Sequence, residues 1–403
     1  MRGLIPAHIM SKIEDATGLR MAEMVDIFCG PSTGAILNAA LTLRHPDEPA
    51  QPKFRARHMV RFYEREGERI FPPDSSREFR GLIHDFNNRT MKLNQLNWLF
   101  RHGHYDPAHL GAALKALYGD AKLRDSLASL VIPTYNIDGD QIEVVEEKGE
   151  TGESPVHTKN NFIDEGGHAV WLKHIKGEFS KTPDVTLYDS VMASTAAPTY
   201  FPCHHFRMRY AGDPRDTPCS GIDGCIFDNP CISYMSVLRG AVPEGHKLHM
   251  IVLGTGYTNK SIRREDWNRY GSLGVVDPVN DFPLINILFN ASESALLDSF
   301  VSEMGSNLHV FNRPLFDVKN NDGEDVAPSP RIDDASPENL NRLRQFTEVI
   351  LEERQKEFDA VCHLLVSNRD RKSRLAQQRS RKSRRRRYFT FFGGRDETER
   401  RDS

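Results

Sequence analysis

No apolar run in this 403-residue chain approaches the roughly 18 residues that a membrane-spanning helix requires, so no such helix is expected. Cysteine is scarce. The six present (Cys29, Cys203, Cys219, Cys225, Cys231 and Cys362) form no C-x-x-C pair. That argues against a zinc ribbon or a dithiol redox motif. A zinc site built from Cys203, His204, His205 and the later cysteines has the wrong spacing. Reduced thiols in a cytosolic setting are the expectation, with no metal and no other cofactor. The opening Met1-Arg2-Gly3-Leu4-Ile5-Pro6 lacks the apolar stretch and cleavage site of a signal peptide, so the expected location is cytoplasmic. Aromatic residues make up 9% and hydrophobic residues 38%, which suits one large or two ordinary soluble domains with polar extensions.

What is present is more specific. Met24-Val25-Asp26-Ile27-Phe28-Cys29 is an apolar run that leads into Gly30-Pro31-Ser32-Thr33-Gly34 and then a helical stretch, Ala35 to Leu43. A strand running into Gly-x-Ser-x-Gly and on into a helix is the setting of a nucleophile elbow. Glycine on either side of the serine relieves crowding in a sharp turn. The helix start aims free N–H groups and a positive dipole end at the hydroxyl. Ser32 is thus a candidate nucleophile for acyl transfer, against the plain alternative of a Gly/Ser turn.

Charge is the other asymmetry. The net charge of −3 hides eleven Lys/Arg against one Asp between Arg369 and Arg387, a segment at +10 that leaves about −13 for the remainder. A basic run with little apolar periodicity reads as a disordered, solvated extension. Tyr388-Phe389-Thr390-Phe391-Phe392 follows it directly, and aromatics beside a polybasic run suit an anionic membrane surface better than nucleic acid.

Between these ends, helical patterns at Arg57–Gly67, Asn88–His102 and Asp106–Tyr118 form a block that could cover a site. Buried strands are predicted at Leu130–Asp138, Gln141–Lys148, His168–Ile175 and Lys247–Leu253. Further helices are predicted at Thr186–Ala196, Pro283–Ser306 and Pro337–Ser367. Strands alternating with helices argue for a layered α/β domain.

A serine nucleophile needs a proton acceptor. None of the sixteen histidines sits in a setting that distinguishes it. Asp223, in Gly221-Ile222-Asp223-Gly224-Cys225-Ile226-Phe227-Asp228-Asn229-Pro230, is more distinctive, because the small-residue run Ala193-Ser194-Thr195-Ala196-Ala197-Pro198-Thr199-Tyr200-Phe201 precedes it. That run allows a helix to approach another backbone closely and sets aromatic surface beside the acid. Asp138-Gly139 and Asp322-Gly323 look like simple turns.

Gly-x-Ser-x-Gly, the Ala-Ala-Pro-Thr-Tyr-Phe run, Asp-Gly followed by Asn-Pro, and the strand ending Leu253-Gly254-Thr255-Gly256, in that order, resemble the motifs of patatin-like phospholipases. The likeness extends to about Pro314. It implies a three-layer α/β fold with a mainly parallel central sheet and hydrolysis of lipid acyl esters. It also implies a Ser–Asp dyad in which Ser32 attacks and Asp223 accepts the proton, with Gly30, Gly34 and Gly224 as motif glycines. Two departures stand out. Cys225 replaces the usual Gly or Ala, a small change. The family's first strand and its Asp-Gly-Gly-Gly-x-Arg-Gly oxyanion loop are missing, and Met1-Arg2-Gly3 resembles only the end of that loop. Thr33, Arg2 and Gly3 are then the remaining oxyanion candidates, and a true start upstream of Met1 is expected. The expected partition is a catalytic domain over 1–330, a C-terminal helix over 331–368 and a tail over 369–403. The rival readings are a thioesterase or general esterase on the same dyad, and a non-catalytic lipid- or partner-binding protein.

Overall fold

The computed structural model describes residues 1–72, 105–138, 166–178, 182–211, 216–258, 262–275 and 283–392. The predicted helix at 88–102 and strand at 141–148 lie outside them. Helix α1 (Leu4–Thr17) buries Leu4, Ile5, Ile9 and Ile13, one stripe at helical spacing, and stops at Gly18, whose φ of 69° lets its N–H reach Glu14 O. After a single turn, α2 (Met21–Met24), the chain enters β1 (Ile27–Cys29), turns, and forms α3 (Thr33–Thr42). Helix α4 (Ala56–Ile70) follows, then α5 (Pro107–Tyr118), which has the expected cap: Asp106 accepts from Ala108 N at 2.9 Å and Pro107 takes the first helical position.

The main sheet is β2 (Ser129–Asn136), β3 (His168–His174), β4 (His204–Met208) and β5 (Thr217–Asp223) together with β1. Helix α6 (Leu187–Thr195) lies between β3 and β4 in the chain and packs on β2, β4 and β5. Past β5 come a short α7 (Pro230–Ser233), β6 (Met250–Leu253), α8 (Arg264–Gly274), α9 (Pro283–Met304), β7 (Leu308–Phe311), α10 (Pro337–Glu353) and α11 (Gln355–Phe392). The whole is a three-layer α/β arrangement.

The sheet is mixed rather than mainly parallel. β1 pairs β2 in parallel, whereas β3 and β5 pair β2, and β4 pairs β5, antiparallel. The path from β4 to β5, residues 209–216, is only eight residues long, shorter than a parallel crossover needs but ample for antiparallel neighbours. β6 and β7 form a separate two-stranded parallel sheet. Strands β4, β5 and β7 escaped the sequence reading. β5 carries Pro218 and Gly221, both weak strand formers.

β2 organises the rest. One of its edges is taken by β3 along its whole length. The other is shared end to end: Cys29 of β1 pairs Val131, and Asp223 of β5 pairs Thr134. β1 runs with β2 and β5 against it, so the two strands converge on the gap between them. Ser129 N donates to Asp26 O (3.1 Å) and Gly30 N to Val131 O (3.3 Å), so odd-numbered residues of β2 face this edge. Pro133 is the next in that alternation. It falls in the gap, where a missing N–H leaves no neighbour unpaired.

The C-terminal segments are not a separate unit. Leu343, Phe346 and Ile350 of α10 and Val361 and Leu365 of α11 are buried in the same core as α1 and α3. Helix α11 also runs through the basic segment as far as Phe392, where the sequence suggests a disordered extension. Arg, Lys, Gln and Ala are good helix formers, and the base of this helix is tied down. Asn368 Nδ2 donates to Met24 O at 2.7 Å, and Lys372 Nζ to Val25 O at 3.0 Å.

Phe346 is fully buried, with the Arg313 guanidinium 6.0 Å from its ring centre. Phe346→Ala should lower stability by about 3–5 kcal/mol. Chemical denaturation checks this, and a loss below about 1 kcal/mol would mean that α10 is merely appended to the core.

Candidate functional site

The elbow is formed as its sequence implies. Ser32 holds φ 55°, ψ −123°, between β1 and α3, a conformation L-residues rarely adopt. Ser32 N donates to both the carbonyl and the hydroxyl of Ser194, each at 3.1 Å, while Ser194 Oγ donates to Pro133 O at 2.6 Å. The end of α6 thereby fastens the elbow to the gap in β2. Crowding explains the two elbow glycines less well than expected. A Cβ on Gly34 would meet nothing within 4 Å, and one on Gly30 would only touch Asn38 and Gly34 at about 3.4–3.5 Å. Gly34 lines the cavity described below, so a side chain there would project into its space.

Asp223 ends β5 and reaches the same place. Its N–H donates to Ala196 O at 3.0 Å, one turn-end beyond Ser194. Two other positions make that approach possible. A Cβ on Gly221 would lie 2.6 Å from Ala193 Cβ, and one on Gly224 would lie 2.3 Å from Pro133 O, so both must be glycine. The small-residue run and the Asp-Gly pair therefore do the job the sequence assigned them.

The Asp223 carboxylate is buried. Oδ1 accepts from Cys225 N at 2.9 Å. Oδ2 has no partner at ordinary hydrogen-bond geometry, yet the Ser32 hydroxyl stands close enough to favour the charged form. Burial pushes the Asp223 pKa up to about 6, against the pull of Ser32 and Cys225. Cys225, the residue that departs from the family pattern, fits here and supplies a backbone donor.

Arg2 and Gly3 sit at the start of α1 beside the elbow. A Cβ on Gly3 would fall 2.7 Å from Thr33 Cβ and 2.5 Å from the Tyr63 hydroxyl, so glycine is obligatory. Arg2 is buried. Its Nη1 donates to Gly256 O at 3.4 Å and its Nε has no partner among the described residues. Gly256 N in turn donates to Asn312 Oδ1 (2.9 Å), so the Leu-Gly-Thr-Gly and Phe311-Asn312-Arg313-Pro314 segments meet at this corner. Thr33 begins α3, where helix N–H groups lack intrahelical acceptors.

Ser32, Asp223, Thr33, Arg2 and Gly3 all line one cavity of about 1950 Å³ whose walls are mostly apolar. Tyr63, Gly67 and Ile70 of α4 and Leu110 of α5 contribute to it, as expected of the helical block over 55–120. The described histidine–carboxylate pairs, His204–Asp189 (2.9 Å) and His309–Glu357 (3.6 Å), lie outside the lining. Asp138 accepts from Ser220 at the far end of β2, and Asp322-Gly323 is an exposed turn. Among the described residues no group of three or more His, Cys, Asp or Glu could hold a metal ion, and no disulfide joins any of the six cysteines. Also among them, no helix is long and apolar enough to cross a membrane.

A family profile described as patatin-like phospholipase matches residues 1–235. The chain belongs to the patatin-like phospholipase family. Similar proteins include patatin-like protein 2 of Oryza sativa subsp. indica, 24% identical over 96% of this chain and 91% of that protein. Patatin-like protein 2 of Arabidopsis thaliana is 24% identical over 87% and 80% of the two chains. Patatin-16 of Solanum tuberosum is 24% identical over 87% and 81%. The family is one of lipid acyl hydrolases.

Sequence reasoning missed Ser194 as a clamp, and it missed a second buried acid. Asp228 Oδ2 accepts from Ser233 Oγ at 2.7 Å, Cys29 Sγ lies 3.3 Å from the same hydroxyl, and Asp228 Oδ1 has no side-chain-level partner. Burial pushes Asp228 up to about 7 and the Cys29 thiol up to about 12. A raised folded-state carboxyl pKa stabilises below the unfolded value and loses that contribution as pH rises through the folded one. Asp228→Asn should therefore raise Tm most at pH 8, where the buried carboxylate is charged, and less at pH 5. Thermal melts at both values check this; a stabilisation no larger at pH 8 than at pH 5 contradicts it.

Proposed function

We propose that this chain hydrolyses acyl esters of lipids, as a phospholipase A-type enzyme or a related esterase, through a Ser–Asp dyad and an acyl-enzyme. The observation that carries the reading is the meeting of Ser32, in a strained turn, with the buried Asp223 at one end of a large apolar cavity. Ser32 Oγ attacks the ester carbonyl carbon and its proton passes to Asp223. The negative charge that develops on the carbonyl oxygen meets the N–H groups at Thr33 and at Arg2–Gly3, with the Arg2 guanidinium nearby. The alcohol leaves with the proton, and water then attacks the acyl-enzyme by the reverse sequence. The apolar walls suit an acyl chain and hold water away from the carboxylate, which is what keeps Asp223 basic enough to serve.

Ser32→Ala should reduce ester turnover by about a thousandfold or more while leaving the melting curve unchanged or slightly raised. Asp223→Asn should be nearly as damaging, because an amide does not accept the proton. Activity needs Asp223 ionised, so kcat/KM should fall about tenfold per pH unit below about pH 6 and level off above it. A plateau extending to pH 4, or an active Asp223→Asn protein, rules the dyad out. Lipid binding without turnover in any ester favours the non-catalytic reading, and a preference for acyl thioesters favours a thioesterase.

We also propose that the basic end of α11 engages an anionic membrane surface. Arg371 and Lys372 are engaged by Asp26, at 3.6 and 3.2 Å, so the charge available to a surface begins beyond them. Seven of the eleven basic residues lie between Arg379 and Arg387. Deleting residues 379–403 should weaken co-sedimentation with phosphatidylserine vesicles, more so at low salt, and leave turnover of a soluble short-chain ester unchanged. Undiminished vesicle binding removes the membrane role.

A further inference from the structure

Cys225 is where the Asp-Gly motif departs from the family pattern, and it lies against the acid. Asp223 caps the single turn Gly224–Ile226, and its Oδ1 accepts from Cys225 N at 2.9 Å. That turn is fixed from two sides. Gly224 is pressed on β2, where a Cβ would lie 2.3 Å from Pro133 O, and Asp223 N donates to Ala196 O at 3.0 Å. The Cys225 thiol is thereby held close enough to the carboxylate to donate to it. Cys225 also lines the cavity together with Ser32, Asp223 and Arg2. A glycine or alanine at this position would offer the same backbone N–H and no side-chain donor.

The state of the thiol follows from its surroundings. Burial, the Asp223 charge and the hydrogen bond to Asp223 push the Cys225 pKa well above the usual thiol range. Arg2, at the start of α1, and a backbone hydrogen bond pull the other way, and more weakly. The sulfur is therefore protonated at neutral pH, a poor nucleophile and a donor. A thiol is a weak donor, but its acceptor here is an ionised, buried carboxylate, which strengthens the bond. The Ser32 hydroxyl, on the elbow, is the other side-chain donor that favours the charged form of Asp223.

We propose that Cys225 is a positioning residue for the acid: its S–H donates to the Asp223 carboxylate, fixing that carboxylate between Cys225 and Ser32 and favouring its charged form. Burial alone drives Asp223 toward the neutral acid, which accepts no proton, so the thiol extends the working range of the base toward lower pH. The effect on turnover rests on the Ser–Asp reading; the contact itself does not.

Two measurements on the full chain test this. In Cys225→Ala the acidic midpoint of kcat/KM should move up by about 0.5–1 pH unit, so that turnover falls about 3–10-fold more at pH 5 than at pH 8. Cys225→Ser keeps a donor and should return the midpoint to the parent value or below it. A merely structural role lowers kcat/KM by one factor at every pH and leaves the midpoint in place, and that result overturns the proposal. So does a Cys225→Ser midpoint as high as that of Cys225→Ala. The second measurement needs no turnover. A thiol that favours the carboxylate is in turn held protonated by it, so Asp223→Asn should speed iodoacetamide alkylation of Cys225 at pH 8 about tenfold, read at that residue by mass spectrometry. The exposed Cys203 is the internal reference and should react as in the parent. Unchanged alkylation of Cys225 overturns the proposal. Faster alkylation in a chain that turns over no ester supports the contact and removes the hydrolase reading, whereas an active chain with an unmoved midpoint does the reverse.

Discussion

Two strands share one edge of β2 and meet head to head, and the site depends on that abutment. β1 delivers Ser32 from one side and β5 delivers Asp223 from the other, although 190 residues separate them in the chain. The end of α6 fixes the spacing. Ser194 O accepts from Ser32 N and Ala196 O from Asp223 N, so two residues of one helix terminus hold both groups. Pro133 makes the gap possible, since it asks for no ladder partner and offers its carbonyl to Ser194. Gly224 and Gly221 let the acid's strand come close enough to use it. A change at any of these backbone positions alters the relation of the serine to the acid without touching either side chain.

Around that junction the molecule combines one continuous core with one large void. Helices α1, α3, α10 and α11 share buried apolar residues, so the C-terminal third reinforces the N-terminal elbow. The void lies on the other side of β1, where the five-stranded sheet stops and the β6–β7 pair begins.

Much of the site was legible in the sequence, because its residues are set by local stereochemistry. The Gly-x-Ser-x-Gly turn, the Asp-Gly pair and the small-residue run each describe a backbone requirement that a few residues express alone. The cap Asp106-Pro107 and the stripe in α1 were legible for the same reason. The strand directions were not. Whether β5 runs with or against β2 is decided by a long-range pairing, which leaves no periodic signal. Ser194 looked like one more small residue, since its hydroxyl's bond to Pro133 depends on the fold. Asp228 looked like the tail of a motif, because burial of a carboxylate cannot be read from its neighbours in the chain. The basic segment of α11 misled by composition: the same arginines that suggest disorder are also good helix formers once a docked base starts the helix.

The strained Ser32 has a consequence for how such a chain can change over time. The fold holds a serine at φ 55°, a carboxylate without full hydrogen bonding, and a guanidinium whose buried Nε has no described partner, all within one corner. Each opposes folding, and each is relieved by a simple substitution such as glycine at 32 or asparagine at 223. Selection for robustness alone, with no demand for turnover, would therefore erode this corner first and leave α1, α6 and the rest of the core in place.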